Sequence, residues 1–137
     1  MTLQRRIVFG GFLFFFCVIC WWFSFQRDTQ PPQLSVALRN STHELSAAVL
    51  HVTATDNKAL DGFLSYDIGG IVQGLQNGLL TGNLKSLESD IPFSTATSEQ
   101  LQQLKAMQTI HVIITTRDRA GNVTKSETDL AAELFSE

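Results

Sequence analysis

Hydrophobic and polar positions follow two different rules along this chain. From Ile7 to Phe25 nineteen successive residues carry no charge and show no polar stripe. A helix of that length spans about 28 Å, close to the hydrocarbon thickness of a bilayer. After Phe25 the pattern changes to alternation, with apolar residues at every second position in runs separated by Gly, Pro, Asn and Asp. That period is the mark of half-buried strands.

The alternating runs predict an antiparallel all-β region. Leu34, Val36 and Leu38 share one face of a first strand. Leu45 to Asp56 reads as a second, with Ala48, Leu50, Val52 and Ala54 inward and Val49, His51, Thr53 and Thr55 outward. Asp56 to Gly62 reads as a loop. Leu64, Tyr66 and Ile68 form the next strand, Gly69-Gly70 interrupts it, and Ile71-Val72 opens another. Between Gln73 and Ser94 the pattern weakens; Asn77-Gly78 and Gly82-Asn83 read as tight turns. Thr97 with Gln100 three residues on is a capping-box pair. Leu101, Leu104 and Met107 then follow at helical spacing, so a short helix is expected from about Ser98 to Met107. Thr109 to Arg117 is the clearest strand, with Ile110, Val112 and Ile114 on one face and His111 and Ile113 on the other. Asp118 to Asn122 is a turn, and Val123 to Asp129 a last strand before a short tail, Leu130 to Glu137, with one helical turn.

The apolar stretch reads as an uncleaved signal anchor. Its exit, Trp-Trp-Phe-Ser-Phe-Gln-Arg-Asp, offers no small-residue cleavage site. Arg5 and Arg6 precede it, while Arg27 is offset by Asp28, so the positive-inside rule keeps the amino terminus in the cytoplasm and exports the rest. The division expected is a cytoplasmic N-terminus (1–6), a single transmembrane helix (7–25), a linker (26–33) ending in Pro31-Pro32, a sandwich domain (34–130) and a C-terminal tail (131–137). The location implied is the inner (plasma) membrane, with the C-terminal domain periplasmic or extracellular.

Charge and cysteine use narrow the classes of partner. The chain has 137 residues, and the part after Phe25 holds all thirteen acidic residues against eight of the ten basic ones, a formal charge of −5. No run of Lys or Arg occurs there, which argues against nucleic acid or anionic lipid as a partner of the exported part. Cys17 and Cys20 lie inside the apolar stretch, where a Cys-x-x-Cys pair reads as ordinary packing. No Cys follows Cys20, so the exported part has no disulfide.

Asp118-Arg119-Ala120-Gly121-Asn122-Val123-Thr124 at the end of the clearest strand resembles the last hairpin of bacterial immunoglobulin-like and fibronectin-III-like domains. Pro31-Pro32 before the first strand, Val52-Thr53-Ala54-Thr55-Asp56-Asn57 and Asp67-Ile68-Gly69-Gly70 follow in the order such modules show. The resemblance implies a two-sheet antiparallel Ig-like sandwich. It brings no catalytic residue, and it implies a spacer, stalk or docking role. The Cys-Trp-Cys core of antibody domains is absent.

Candidate chemistry is sparse. His51 and His111 fall on the outward positions of strands in opposite sheets, so a shared histidine site is not expected; His43 is a turn residue. No Gly-x-Ser-x-Gly elbow or phosphate-binding glycine loop occurs. The best candidate is the end of the sandwich where the second strand's exit loop and the last turn meet. Asp56, Asn57 and Asp61 with Asp118 and Asn122 supply carboxylate and amide oxygens, hard ligands that suit Ca²⁺; the competing explanation is turn chemistry. No other cofactor is expected. The leading expectation is a non-enzymatic, membrane-anchored envelope protein that docks onto another envelope protein or a glycan. The alternative is an envelope hydrolase, or an accessory subunit of a membrane-bound enzyme complex, using the Asp56/Asp118 loop end.

Overall fold

The computed structural model describes residues 16–20, 28–39, 43–77 and 84–135. Among them seven strands form two antiparallel sheets, so the fold is all-β, with a short α-helix between the fifth and sixth strands. The first sheet has the order β1 (Gln33–Arg39), β2 (Val49–Thr55), β5 (Ser86–Pro92). The second has the order β4 (Val72–Asn77), β3 (Leu60–Ile68), β6 (Thr109–Asp118), β7 (Val123–Ala131). Val36 pairs with Val52 across β1 and β2, and Val112 pairs with Ile68 and with Thr128 in the second sheet.

Alternation sets which face each strand buries. Leu50, Val52 and Ala54 on β2 and Ile110, Val112 and Ile114 on β6 are almost fully buried. All of these but Ala54 share one core with Leu64, Ile68, Ile91 and Phe93. Full burial of a Leu, Ile or Val side chain stabilises the fold by roughly 1.5–3 kcal/mol, so these two strands supply much of what holds the sheets together. Their other faces carry His51 and His111. The two histidines lie on different sheets, each opposite an acidic residue: His51 Nδ1 is 2.7 Å from Asp90 Oδ1, and His111 pairs with Asp129.

Two boundaries differ from the periodicity reading. Leu45–Ala47 is a 3₁₀ turn, and β2 begins only at Val49. Leu45 is fully buried all the same, so burial on a turn imitated the start of a strand. The second difference is that β3 starts at Leu60, inside the expected loop. Its pairing with β6 slips between Leu60 and Leu64, and Gly62 sits in the bulge at φ +85°. A bulge of this kind re-aims the side chains beside it. The tail carries the expected helical turn, as a 3₁₀ turn at Ala132–Phe135.

The predicted helix forms as α1 (Ser98–Lys105). Thr97 Oγ1 accepts from the backbone N–H of Gln100, and the Gln100 side chain accepts from the backbone N–H of Thr97. Leu104 is completely buried, and Gln100 Nε2 donates to the carbonyl of Ile71, so α1 closes the end of the fold at the β3–β4 turn. That turn is Gly69-Gly70, both at positive φ. The tight turns expected at Gly78 and at Gly82-Asn83 lie outside the described residues. So does most of Ile7–Phe25. Residues 16–20 are helical, with Phe16, Val18 and Ile19 exposed. No helix among the described residues is long and apolar enough to cross a membrane.

Candidate metal centre at the strand-entry end

Strand direction brings three segments together at the end opposite α1. Because β1 runs antiparallel to β2, the residues before β1 lie beside the exit of β2, where Asp56 sits. The β6–β7 turn reaches the same end, and Arg119 N–H donates to the Ala59 carbonyl at 3.0 Å to join it to the β2–β3 loop. One carboxylate from each segment converges: Asp28, Asp56 and Asp118 each offer an oxygen, all within 4.8 Å of one another. Asp118 is 1 % exposed, Asp28 and Asp56 9 % each.

Backbone N–H groups hold the carboxylates in place. Asp28 Oδ1 accepts from Gln30 N–H at 3.1 Å. Asp56 Oδ1 accepts from Lys58 and Ala59 N–H at 2.8 and 2.6 Å. Asp118 Oδ1 accepts from Asn122 N–H at 2.8 Å, and its Oδ2 from Asn122 Nδ2 at 2.7 Å. Turn chemistry therefore accounts for one oxygen of Asp28, one of Asp56 and both of Asp118. Asp56 Oδ2 is different: it is buried and has no hydrogen-bond partner. An unsatisfied buried acceptor costs about 1–3 kcal/mol. Ionised carboxylates this close also repel; a like-charge pair at about 4 Å costs roughly 4 kcal/mol at an effective dielectric of about 20.

The five residues expected at this end divide into four groups. Asp56 and Asp118 join the cluster. Asn122 braces it: besides Asp118, its Nδ2 donates to the Asp28 and Gln30 carbonyls at 3.1 and 3.4 Å, tying the segment before β1 to the turn. Asn57 is exposed and donates to Gln30 Oε1 at 2.8 Å, beside a shallow pocket of about 260 Å³ lined by Gln30, Pro31, Gln33, Thr55, Asp56 and Asn57. Asp61 is elsewhere. Beyond Leu60 the bulge turns its carboxylate to Phe63 N–H and to Arg117, whose guanidinium also lies 5.0 Å from the Phe63 ring centroid.

Asp28 is the residue that sequence reasoning missed. It looked like a counter-charge to Arg27 in a linker, yet it packs against the domain. The signal was present in the topology: a first strand antiparallel to the second must start where the second ends.

A second surface feature lies on the outer face of the four-stranded sheet. Ser65 is small and sits between Leu75 on β4 and Thr115 on β6, its register partners. Together with Ile113, Asp67 and Gln73 they line an open groove of about 430 Å³. Leu75 is 56 % exposed.

The chain matches no protein-family model, no curated protein and no solved structure.

Proposed function

We propose that this chain is a non-enzymatic, single-pass envelope protein whose exported Ig-like domain docks onto another envelope component, a protein or a glycan. The observation that carries the reading is the groove around Ser65. It opens beside β4, an edge strand whose outward Leu75 is exposed. Edge strands and apolar sheet faces are common sites of strand addition and side-chain docking. The strand order supports the Ig-like assignment: the first, second and fifth strands share one sheet, and the third, fourth, sixth and seventh share the other, as in fibronectin-III-like modules. The membrane assignment rests on the uncharged length of Ile7–Phe25 and on Arg5 and Arg6 before it.

The hydrolase alternative draws on Asp56 and Asp118. General acid–base work needs two carboxylates in contrasting environments, both free to face substrate. Here both Asp118 oxygens and Asp56 Oδ1 accept N–H groups of their own turns. That favours a structural or ion-binding role for this end.

The test uses the full chain in membranes. A photo-crosslinking side chain at Leu75 is expected to give a discrete adduct, and the same group at Ala37, exposed on the other sheet, none. Leu75→Asp should abolish partner retention without moving the urea midpoint. Equal labelling from both positions, or undiminished retention by Leu75→Asp, would remove the docking face. Protease protection of the C-terminal domain, lost or scrambled in an Arg5→Glu, Arg6→Glu double variant, tests the anchor and its orientation separately.

A further inference from the structure

We propose that Asp28, Asp56 and Asp118 bind one Ca²⁺ ion, which clamps the segment entering the domain onto the β2–β3 loop and the β6–β7 turn. The ligand set consists of hard oxygen donors from three buried side chains. An acidic cluster alone would not point to an ion, because turns gather Asp for their own hydrogen bonds. The deciding observation is Asp56 Oδ2, an oxygen of one of the three clustered carboxylates that is buried and has no hydrogen-bond partner. A cation supplies that partner and cancels the mutual repulsion of the three carboxylates.

Spacing selects the ion. Oxygens within 4.8 Å of one another suit a cation with bonds of about 2.3–2.6 Å and a flexible coordination number. Mg²⁺ needs bonds of about 2.0–2.1 Å in nearly ideal octahedral geometry and keeps its waters, which three braced turn carboxylates do not match. Zn²⁺ favours His and Cys ligands; the cluster has neither. With few protein ligands, the affinity belongs in the weak range of extracellular modules, Kd about 10⁻⁴–10⁻³ M.

The placement gives the ion a mechanical role. Asp28 lies only five residues before β1, on the segment leading in from the amino-terminal apolar stretch. Asn122 already joins its carbonyl to the β6–β7 turn. An ion shared by Asp28, Asp56 and Asp118 fixes the direction in which the domain leaves that segment. It does not depend on the docking face, which lies on the outer surface of one sheet.

The experiment is calorimetric titration of CaCl₂ into the full chain in detergent micelles, with thermal unfolding in EGTA and in excess Ca²⁺. Expected are one site per chain, a higher melting temperature with Ca²⁺, and a response to MgCl₂ at least about tenfold weaker. Asp56→Asn should weaken Ca²⁺ binding by at least about tenfold. It should keep its fold in EGTA, because it removes a charge from a crowded site. Asp61→Asn, in the same loop but turned to Arg117, should bind as the unaltered chain does. Limited proteolysis near residues 26–32 should slow in Ca²⁺ for the unaltered chain and not for Asp56→Asn. Absence of both heat and melting shift in the unaltered chain overturns the site, and so does an equal response to Mg²⁺. Equal loss of binding in Asp56→Asn and Asp61→Asn would reduce it to general surface charge.

Discussion

The ring of Tyr66 lies directly on Gly74, its cross-strand partner on the edge strand β4. A Cβ at position 74 would overlap the ring, so glycine here is required by close approach. The ring fills space that glycine vacates and packs against the core at the sheet edge. Gly74→Ala should therefore push Tyr66 off the edge and lower stability by about 1–3 kcal/mol. In a Tyr66→Ala background the same change should cost almost nothing. A double-mutant cycle from urea midpoints measures the coupling; a value near zero would mean that the ring does not depend on Gly74.

Val112→Asp and His111→Asp test the faces of β6. Val112 is 1 % exposed among Ile110, Ile114 and the facing sheet, and a carboxylate there costs several kcal/mol or must take up a proton. The His111 side chain is 50 % exposed, between Asp129 and Glu127. His111→Asp should cost on the order of 1 kcal/mol, mostly from the added negative charge opposite Asp129. Urea denaturation of the two variants should show a far larger loss for Val112→Asp; equal losses would contradict the observed burial.

Gly69 and Gly70 form a matched pair for the contact between α1 and the β3–β4 turn. Both have positive φ, so alanine is strained at either, by about 1–2 kcal/mol. Only at Gly69 would a Cβ also come within 2.8 Å of Leu104 Cδ2 and 3.2 Å of Met107 Sδ; at Gly70 the space is open. Gly69→Ala should thus lower the melting temperature further than Gly70→Ala. The excess should shrink when Leu104 is shortened to Ala.

Lys125 and Glu127 stand two apart on β7, on the same outer face. The hydrogen bond from Lys125, and then its charge, hold the Glu127 carboxyl below its ordinary value of 4.5. A carboxyl depressed in the folded state favours folding above its unfolded value, and that contribution fades as pH falls through the lower folded value. The pair lies on the solvent-facing surface with both side chains about half exposed, so the global effect on stability is small. Carbon-detected NMR titration should place the Glu127 midpoint below 4.5, and Lys125→Met should move it upward. No movement would assign the depression to other groups.

Leu50, Val52, Ile110, Val112 and Ile114 were identifiable as core from alternation alone, because a strand must bury one face and period 2 states which. Thr97 and Gln100 announced the helix start because a capping box is local. The weak region between Gln73 and Ser94 was illegible for a physical reason. Its strands, β4 and β5, are both sheet edges and carry few apolar residues; β4 has a glycine where the neighbouring Tyr66 supplies the bulk, and Ser89 and Gln76 reach each other through a hydrogen bond of 2.6 Å. With so few apolar side chains of their own to bury, these two strands show little alternation.

Local order alone determined the antiparallel strands, the inward residues of β2 and β6, the outward histidines, the capped helix and the glycine turn. Each follows from neighbours within a few residues, where side-chain direction and backbone preference act directly. Tertiary structure alone decided that Asp28 joins Asp56 and Asp118 and that Asp61 does not. Asp61, five residues from Asp56, is turned away by a bulge, and Asp28, twenty-eight residues away, is brought in because β1 runs antiparallel to β2. The pairing of His51 with Asp90 and of His111 with Asp129 has the same origin. Strand register sets these distances, and register is a property of two strands at once: it emerges when both bury their apolar faces in a common core.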